Sequence, residues 1–135
     1  MKKAIIVGGS NGIGMAIAKG YMDRGYKAII VDKSKPDAIA MGTYNNYEYI
    51  YTDLADYDFE LFNVLSLDME VRALMITAGF GRAAAFEYLH QIEIRKLMLV
   101  NATAAIQVIH SFYSRLCARE DFYCGIMASI AGLMS

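Results

Sequence analysis

The stretch AIIVGGSNGIG, residues 4–14, decides how the chain is read. Ala4-Ile5-Ile6-Val7 is an unbroken apolar run, the pattern of a strand covered on both faces. Glycines follow at Gly8, Gly12 and Gly14, and a helical periodicity starts with them. Ile13, Ala16, Ile17 and Tyr21 recur at helical spacing, and Gly25 fits the stop. A strand, a glycine turn and a helix in this order bring backbone close to a phosphate. Gly8 permits a tight turn with backbone angles that other residues avoid. Gly12 has no side chain to obstruct a pyrophosphate, and Gly14 lets the helix pack close to the strand. The helix start, including Ile13, offers unpaired N–H groups and the positive end of the helix dipole. Ser10 and Asn11 are placed to add hydrogen bonds or to cap that helix. The spacing is G-x-x-x-G-x-G, not the G-x-G-x-x-G of the general dinucleotide fingerprint, so a glycine-rich turn without a ligand stays open as the alternative.

Working outward, residues 27–31 (KAIIV) read as a second buried strand that ends at Asp32, and Pro36 lies in the connection after it. Residues 47–51 (YEYIY) make a third strand. A helix is expected from Asp56 to Leu67, with Phe59, Phe62 and Leu65 on its apolar side. Residues 73–77 (ALMIT) are a fourth strand, closed by Ala78-Gly79-Phe80-Gly81. A long helical region runs from about Ala84 to Arg119, with a break near Leu89 or His90. Residues 122–128 (FYCGIMA) are a fifth strand. Strands alternating with helices predict a parallel sheet of right-handed crossovers. The expected class is α/β, a doubly wound sheet of five strands in order 3-2-1-4-5. Its crevice lies at the carboxyl ends of strands one and four.

Asp32 falls at that crevice, about twenty residues after the glycines. A carboxylate there accepts hydrogen bonds from both ribose hydroxyls of an adenosine and repels a 2′-phosphate, which favours NAD over NADP. Lys33, next in the chain, softens that preference. A solvated loop aspartate is the plainer reading of the same residue.

Totals exclude several classes. A chain of 135 residues argues for one domain, and 56% hydrophobic against 20% charged residues argues against disorder. The net charge of −1 comes without a cluster of Lys and Arg, so no nucleic-acid surface is expected. No apolar run approaches the ~20 residues of a membrane span, and the N-terminal run is too short for a signal peptide. Cys117 and Cys124 are not in a C-x-x-C and read as reduced thiols, which suggests a cytoplasmic protein. His90 and His110 lack ligand partners at metal spacing, so no metal is expected. No G-x-S-x-G surrounds Ser129, which argues against a hydrolase. Met98, Met127 and Met134 read as core or interface filler. The apolar share is high for a free-standing domain and suggests a surface that meets a partner.

With the G-x-x-x-G-x-G turn and the strand-two Asp32 in place, the chain resembles the short-chain dehydrogenase/reductase family along its whole length. Asp53-Leu54 looks like the acidic position that hydrogen-bonds the adenine amine. Ala78-Gly79 looks like the end of the N-N-A-G motif, with Ile76-Thr77 in place of the asparagine pair. The Thr77 hydroxyl can donate or accept, and so partly replaces the lost link between central strands. Val7 stands where the family often has Thr. Asn101 matches the family's structural-catalytic asparagine, and Ser129, after Ala128, matches the serine that closes strand five.

The resemblance implies residues 1–135 as a single NAD(P)-binding Rossmann domain of an oxidoreductase that moves a hydride between the cofactor and an alcohol or ketone. It makes Asn101 and Ser129 the catalytic positions. It also implies a Y-x-x-x-K motif just beyond Ser135, so the fold is expected to be C-terminally truncated and the chain alone inactive. Tyr21 is followed at i+4 by Gly25 and Tyr113 by Cys117, so neither substitutes for that motif. The alternative is a non-catalytic dinucleotide-binding or self-associating module. A homodimer or higher oligomer is expected, through the long helix (Leu97, Val100, Ala104, Val108, Phe112, Leu116) or through the open edge of strand five.

Overall fold

The computed structural model describes residues 1–79, 86–118 and 121–127. Five strands form one parallel sheet: β1 (Lys3–Val7), β2 (Lys27–Asp32), β3 (Tyr47–Tyr51), β4 (Val71–Ile76) and β5 (Tyr123–Ile126). Their order is β3-β2-β1-β4-β5, as the alternating pattern predicts. Val7 pairs with Val31 on one side and with Ile76 on the other, so β1, β2 and β4 end together.

The helices are α1 (Gly12–Asp23), α2 (Ala38–Met41), α3 (Phe59–Ser66), α4 (Gln91–Met98), α5 (Ala104–Ser111) and α6 (Tyr113–Cys117). Alternate residues of the central strands point to opposite faces, and each face has its own core. Ile5, Val7, Ile29, Val31, Leu74 and Ile76 pack with Phe62 of α3 and with Ala104, Val108 and Phe112. Ala4, Ile6, Ala28, Ile30 and Ala73 pack with Met15 and Ala18 of α1 and with Met41. Burial on both faces explains why β1 and β2 are written as unbroken apolar runs.

Several boundaries differ from the sequence reading. Helix α3 starts at Phe59 instead of Asp56. Asp58 takes the cap, its carboxylate accepting the Glu60 N–H at 3.0 Å, while the Asp56 N–H donates to the Asp53 carbonyl and closes a turn. The long helical region is several pieces. A 3₁₀ turn at Phe86–Tyr88 comes before α4, a π-helical turn at Leu99–Thr103 joins α4 to α5, and Phe112 separates α5 from α6. The break falls at Leu89-His90, as expected. Of the described residues in the fifth apolar run, Phe122 and Met127 lie outside strand β5.

Arg115 ties the end of this helical region to the sheet. It is 5% exposed, and its guanidinium donates to the carbonyls of Asp68 at 2.9 Å and Val71 at 2.6 Å, with a longer bond to Ser66 at 3.4 Å. Its guanidinium carbon stands 5.1 Å from the ring of Phe122, which in turn stacks on Phe112. Met98 and Met127, expected as core or interface filler, are exposed, as are Ile92, Ile106 and Tyr113. Among the described residues no helix is long and apolar enough to cross a membrane.

Candidate functional site

At the carboxyl ends of the central strands the sheet opens into a cleft of about 300 Å³. The glycine turn forms one wall. Gly8 has φ +89° and Gly12 φ +52°, the left-handed region where a side chain is strained. A Cβ on Gly14 would lie 2.1 Å from the Gly8 carbonyl oxygen, so helix α1 sits against the turn as only glycine allows. This is the close helix–strand approach expected at Gly14.

The capping role expected of Ser10 and Asn11 is not what the structure shows. Asn11 occupies the N-cap position of α1, but its side chain makes no capping bond. Ser10 is buried and turned toward the next loop, its hydroxyl donating to the Ser34 carbonyl and its N–H donating to Asp32 Oδ2 at 3.0 Å. Loop-to-loop closure has taken its amide N–H and its hydroxyl proton. The first turn of α1 therefore keeps N–H groups that no side chain among the described residues caps, the feature that makes a helix start receptive to an anion.

Asp32 joins two loops. Its Oδ2 accepts from Ser10, and its Oδ1 accepts from the Lys33 N–H at 2.7 Å and the Ser34 N–H at 3.4 Å. The Tyr49 hydroxyl donates to the Asp32 carbonyl at 3.2 Å. Asp53 accepts the Ala55 N–H at 2.9 Å through Oδ1, and its Oδ2 stands 3.7 Å from Lys33 Nζ. Leu54 beside it is buried.

Gly8, Asn11, Asp32, Asp53, Leu54, Ala78 and Gly79, each named as a site residue from sequence, line this one cleft. Ser10, Gly12, Ile13 and Gly14 form the turn and helix start behind it. Asn101 lies within the π-helical turn, and its Oδ1 would be 3.1 Å from a Cβ on Gly79. That turn is a local widening of the helix of the kind often found at functional sites. Ser129, and with it Ala128 and Met134, lies outside the described residues.

Sequence reasoning missed Thr52, Lys96 and Val100, which also line the cleft. Val100 was read from periodicity onto a helix face expected to meet a partner, and the structure places it, with Lys96 one turn earlier, at the cleft.

The Thr77 link between strands is present. Its hydroxyl reaches the Val7 carbonyl at 3.0 Å and the Gly8 carbonyl at 3.1 Å. A tyrosine working as a proton donor near neutral pH needs its pKa lowered. Five tyrosines are shifted the other way. Burial pushes up Tyr21, Tyr49 and Tyr57, and hydrogen bonding to Asp23 and to Cys117 pushes up Tyr44 and Tyr113.

A family model described as short chain dehydrogenase matches residues 2–135. The chain belongs to the short-chain dehydrogenase family. It is 26% identical over 133 residues to an uncharacterized oxidoreductase of Saccharomyces cerevisiae, covering 96% of this chain and 43% of that protein. A short-chain dehydrogenase from Sphingobium yanoikuyae, solved in complex with NADPH, superposes with a TM-score of 0.88 at 20% identity, over 99% of this chain and 56% of that one. The bulky-bulky ketone specific alcohol dehydrogenase of Comamonas testosteroni superposes with a TM-score of 0.85 at 23% identity, over 99% and 57%. This short-chain dehydrogenase chain thus spans about half the length of these relatives. The family agrees with the resemblance drawn from the glycine turn, Asp32 and the strand-four Ala78-Gly79.

Proposed function

We propose that this chain forms the cofactor-binding part of a nicotinamide-dependent oxidoreductase acting on an alcohol or ketone. The observation that carries the reading is the uncapped start of α1, held against Gly8 and flanked by Asp32 across a single cleft. The glycine turn would cradle the pyrophosphate, since a side chain on Gly8 or Gly14 would fill the space against Ala78, Thr77 and the turn itself. Asp32 would accept from the adenosine ribose hydroxyls, and Asp53 would accept from the adenine amine. Ala78 and Gly79 bring little side chain to the cleft, and Gly79 lies beside Asn101. When bound, the nicotinamide ring supplies or takes the hydride. Asn101 and Ser129 would orient the substrate oxygen, with Ser129 polarising a carbonyl by hydrogen bonding. The alcohol or ketone substrate is proposed on the family resemblance, and the Comamonas relative is named for such a substrate.

NAD is the proposed preferred cofactor, because the Asp32 carboxylate repels a 2′-phosphate. Isothermal titration of the chain with NAD⁺ and NADP⁺ tests this. The expected result is tighter binding of NAD⁺, with the gap narrowed in Asp32→Ala. Because Asp32 also holds the Ser10, Lys33 and Ser34 amides, the variant is expected to weaken both cofactors while it narrows the gap. Equal affinities in the parent chain would overturn the cofactor assignment.

A further inference from the structure

We propose that Thr77 is a positioning residue for the pyrophosphate cradle, an inference that rests on the dinucleotide reading above. Thr77 lines the cleft, and its hydroxyl acts there through the backbone of the glycine turn.

The argument starts with an overcrowded acceptor. The Val7 carbonyl already receives the Thr77 N–H at 2.8 Å and the Ala78 N–H at 3.0 Å. Two donors match the two lone pairs of a carbonyl oxygen. The single Thr77 hydroxyl proton is therefore better used on the Gly8 carbonyl, 3.1 Å away. Among the described residues no backbone N–H donates to that oxygen outside the regular helices and strands. An acceptor placed under the start of a helix needs a donor, and Thr77 supplies one.

The space around the hydroxyl is equally specific. Thr77 Oγ1 would lie 2.9 Å from a Cβ on Gly8 and 2.6 Å from a Cβ on Gly14. The hydroxyl occupies the gap that these two glycines leave open. Gly8, Gly14 and Thr77 therefore form one unit, joining the turn, the first helix and the end of β4.

The consequence concerns the peptide between Gly8 and Gly9. Two glycines in a row leave this peptide plane easy to rotate. A carbonyl oxygen and the N–H of the same trans peptide point in opposite directions. While Thr77 holds the Gly8 oxygen beneath α1, that oxygen stays out of the cradle. Released, it is free to turn toward the bound anion and repel it. Adenosine, which has no phosphate, does not sense this rotation.

The test compares ADP-ribose with adenosine, measured by titration calorimetry and NMR titration on the 135-residue chain and its variants. Thr77→Ala removes the donor without adding bulk. It is expected to weaken ADP-ribose about five- to tenfold, in keeping with one net hydrogen bond, while adenosine changes by less than about twofold. Thr77→Ser keeps the hydroxyl and is expected to restore ADP-ribose to within about twofold of the parent. Should Thr77→Ala fail to fold, Thr77→Val, which retains the branched shape, reads the same split. Unchanged ADP-ribose affinity without the hydroxyl would overturn the proposal, and so would an equal loss for both ligands. A parent chain that binds neither ligand would instead overturn the dinucleotide reading on which it stands.

Discussion

Two glycines of helix α1 provide a direct test of how the turn is built, because the same substitution at each should act with opposite sign. Gly20 lies in the exposed part of the helix, and no atom comes within 4 Å of the Cβ it would gain. Gly20→Ala therefore brings only the helix preference for alanine, worth about 0.5–1 kcal/mol. Gly14→Ala gains the same preference and meets the Gly8 carbonyl oxygen at 2.1 Å and Thr77 Oγ1 at 2.6 Å. Both obstacles are fixed, one being backbone and the other the short side chain that reaches the turn. An ordinary contact of this kind lies near 3.5 Å, so α1 must shift by roughly 1.4 Å or the turn must open. Overpacking of this severity costs about 1–3 kcal/mol, more than the helix preference returns. At roughly 4 °C per kcal/mol for a domain of this size, Gly20→Ala should melt about 2–4 °C above the parent. Gly14→Ala should melt several degrees below it. Thermal unfolding followed by circular dichroism gives both values. A Gly14→Ala protein as stable as Gly20→Ala would refute the close approach of helix and turn, and with it the proposed geometry of the cradle.

Two further perturbations test the frame around the site. Arg115→Met leaves the carbonyls of Ser66, Asp68 and Val71 without the guanidinium, and urea unfolding should show a loss of about 3 kcal/mol; a loss below about 1 kcal/mol would mean that this buried cation is not what holds the α3–β4 turn. Asp68 is bonded to Lys3 at 2.7 Å, which holds its carboxyl below the usual range, with Arg115 adding to the effect. A lowered folded pKa contributes stability above the unfolded value, which is lost as the pH falls through the folded one, so the window lies below about pH 4. Lys3 is raised by the same bond, and its share is lost only as the pH rises through its folded pKa at the alkaline end. Asp68→Asn should therefore lose less melting temperature between pH 6 and pH 3 than the parent, and an identical loss would exclude the pair as a source of acid sensitivity.

The sheet was legible because its signal is local. Ala4–Val7 and Ala28–Val31 are apolar at every position, and a short run of that kind has few alternatives once glycine or aspartate closes it. Strand order then followed from the doubly wound arrangement that right-handed crossovers build. The glycine turn and Asp32 were legible for the same reason, since each sits at a strand end that the pattern had already placed, whereas Asp53 and Ala78-Gly79 were singled out by the family resemblance. What escaped depends on tertiary contact. No local rule makes Leu99–Thr103 a π-helical turn, and nothing in the order Ser10, Asn11 says that the serine will leave the helix start for Ser34. The early start assigned to α3 has a simpler origin. Asp56 and Asp58 are both plausible caps, and the turn between Asp53 and Asp56 decides for the second.

The position of the turn within the sheet explains why so few residues can serve it. β1 is the central strand, and its ladder does not stop where the strand does. The Gly8 N–H donates to the Val31 carbonyl on one side, while the Thr77 and Ala78 amides donate to the Val7 carbonyl on the other. The first glycine is thereby held as a last rung between β2 and β4. A turn of flexible residues gains its rigidity from these neighbours, together with Asp32 on the Ser10 amide and Thr77 on the Gly8 carbonyl. Glycine is required for the approach of α1, and two side chains from the flanking strands then limit the freedom that glycine brings. Substitutions at Asp32 or Thr77 should therefore alter the shape of the turn before they alter the stability of the sheet, because the ladder beneath the turn is made by main chain.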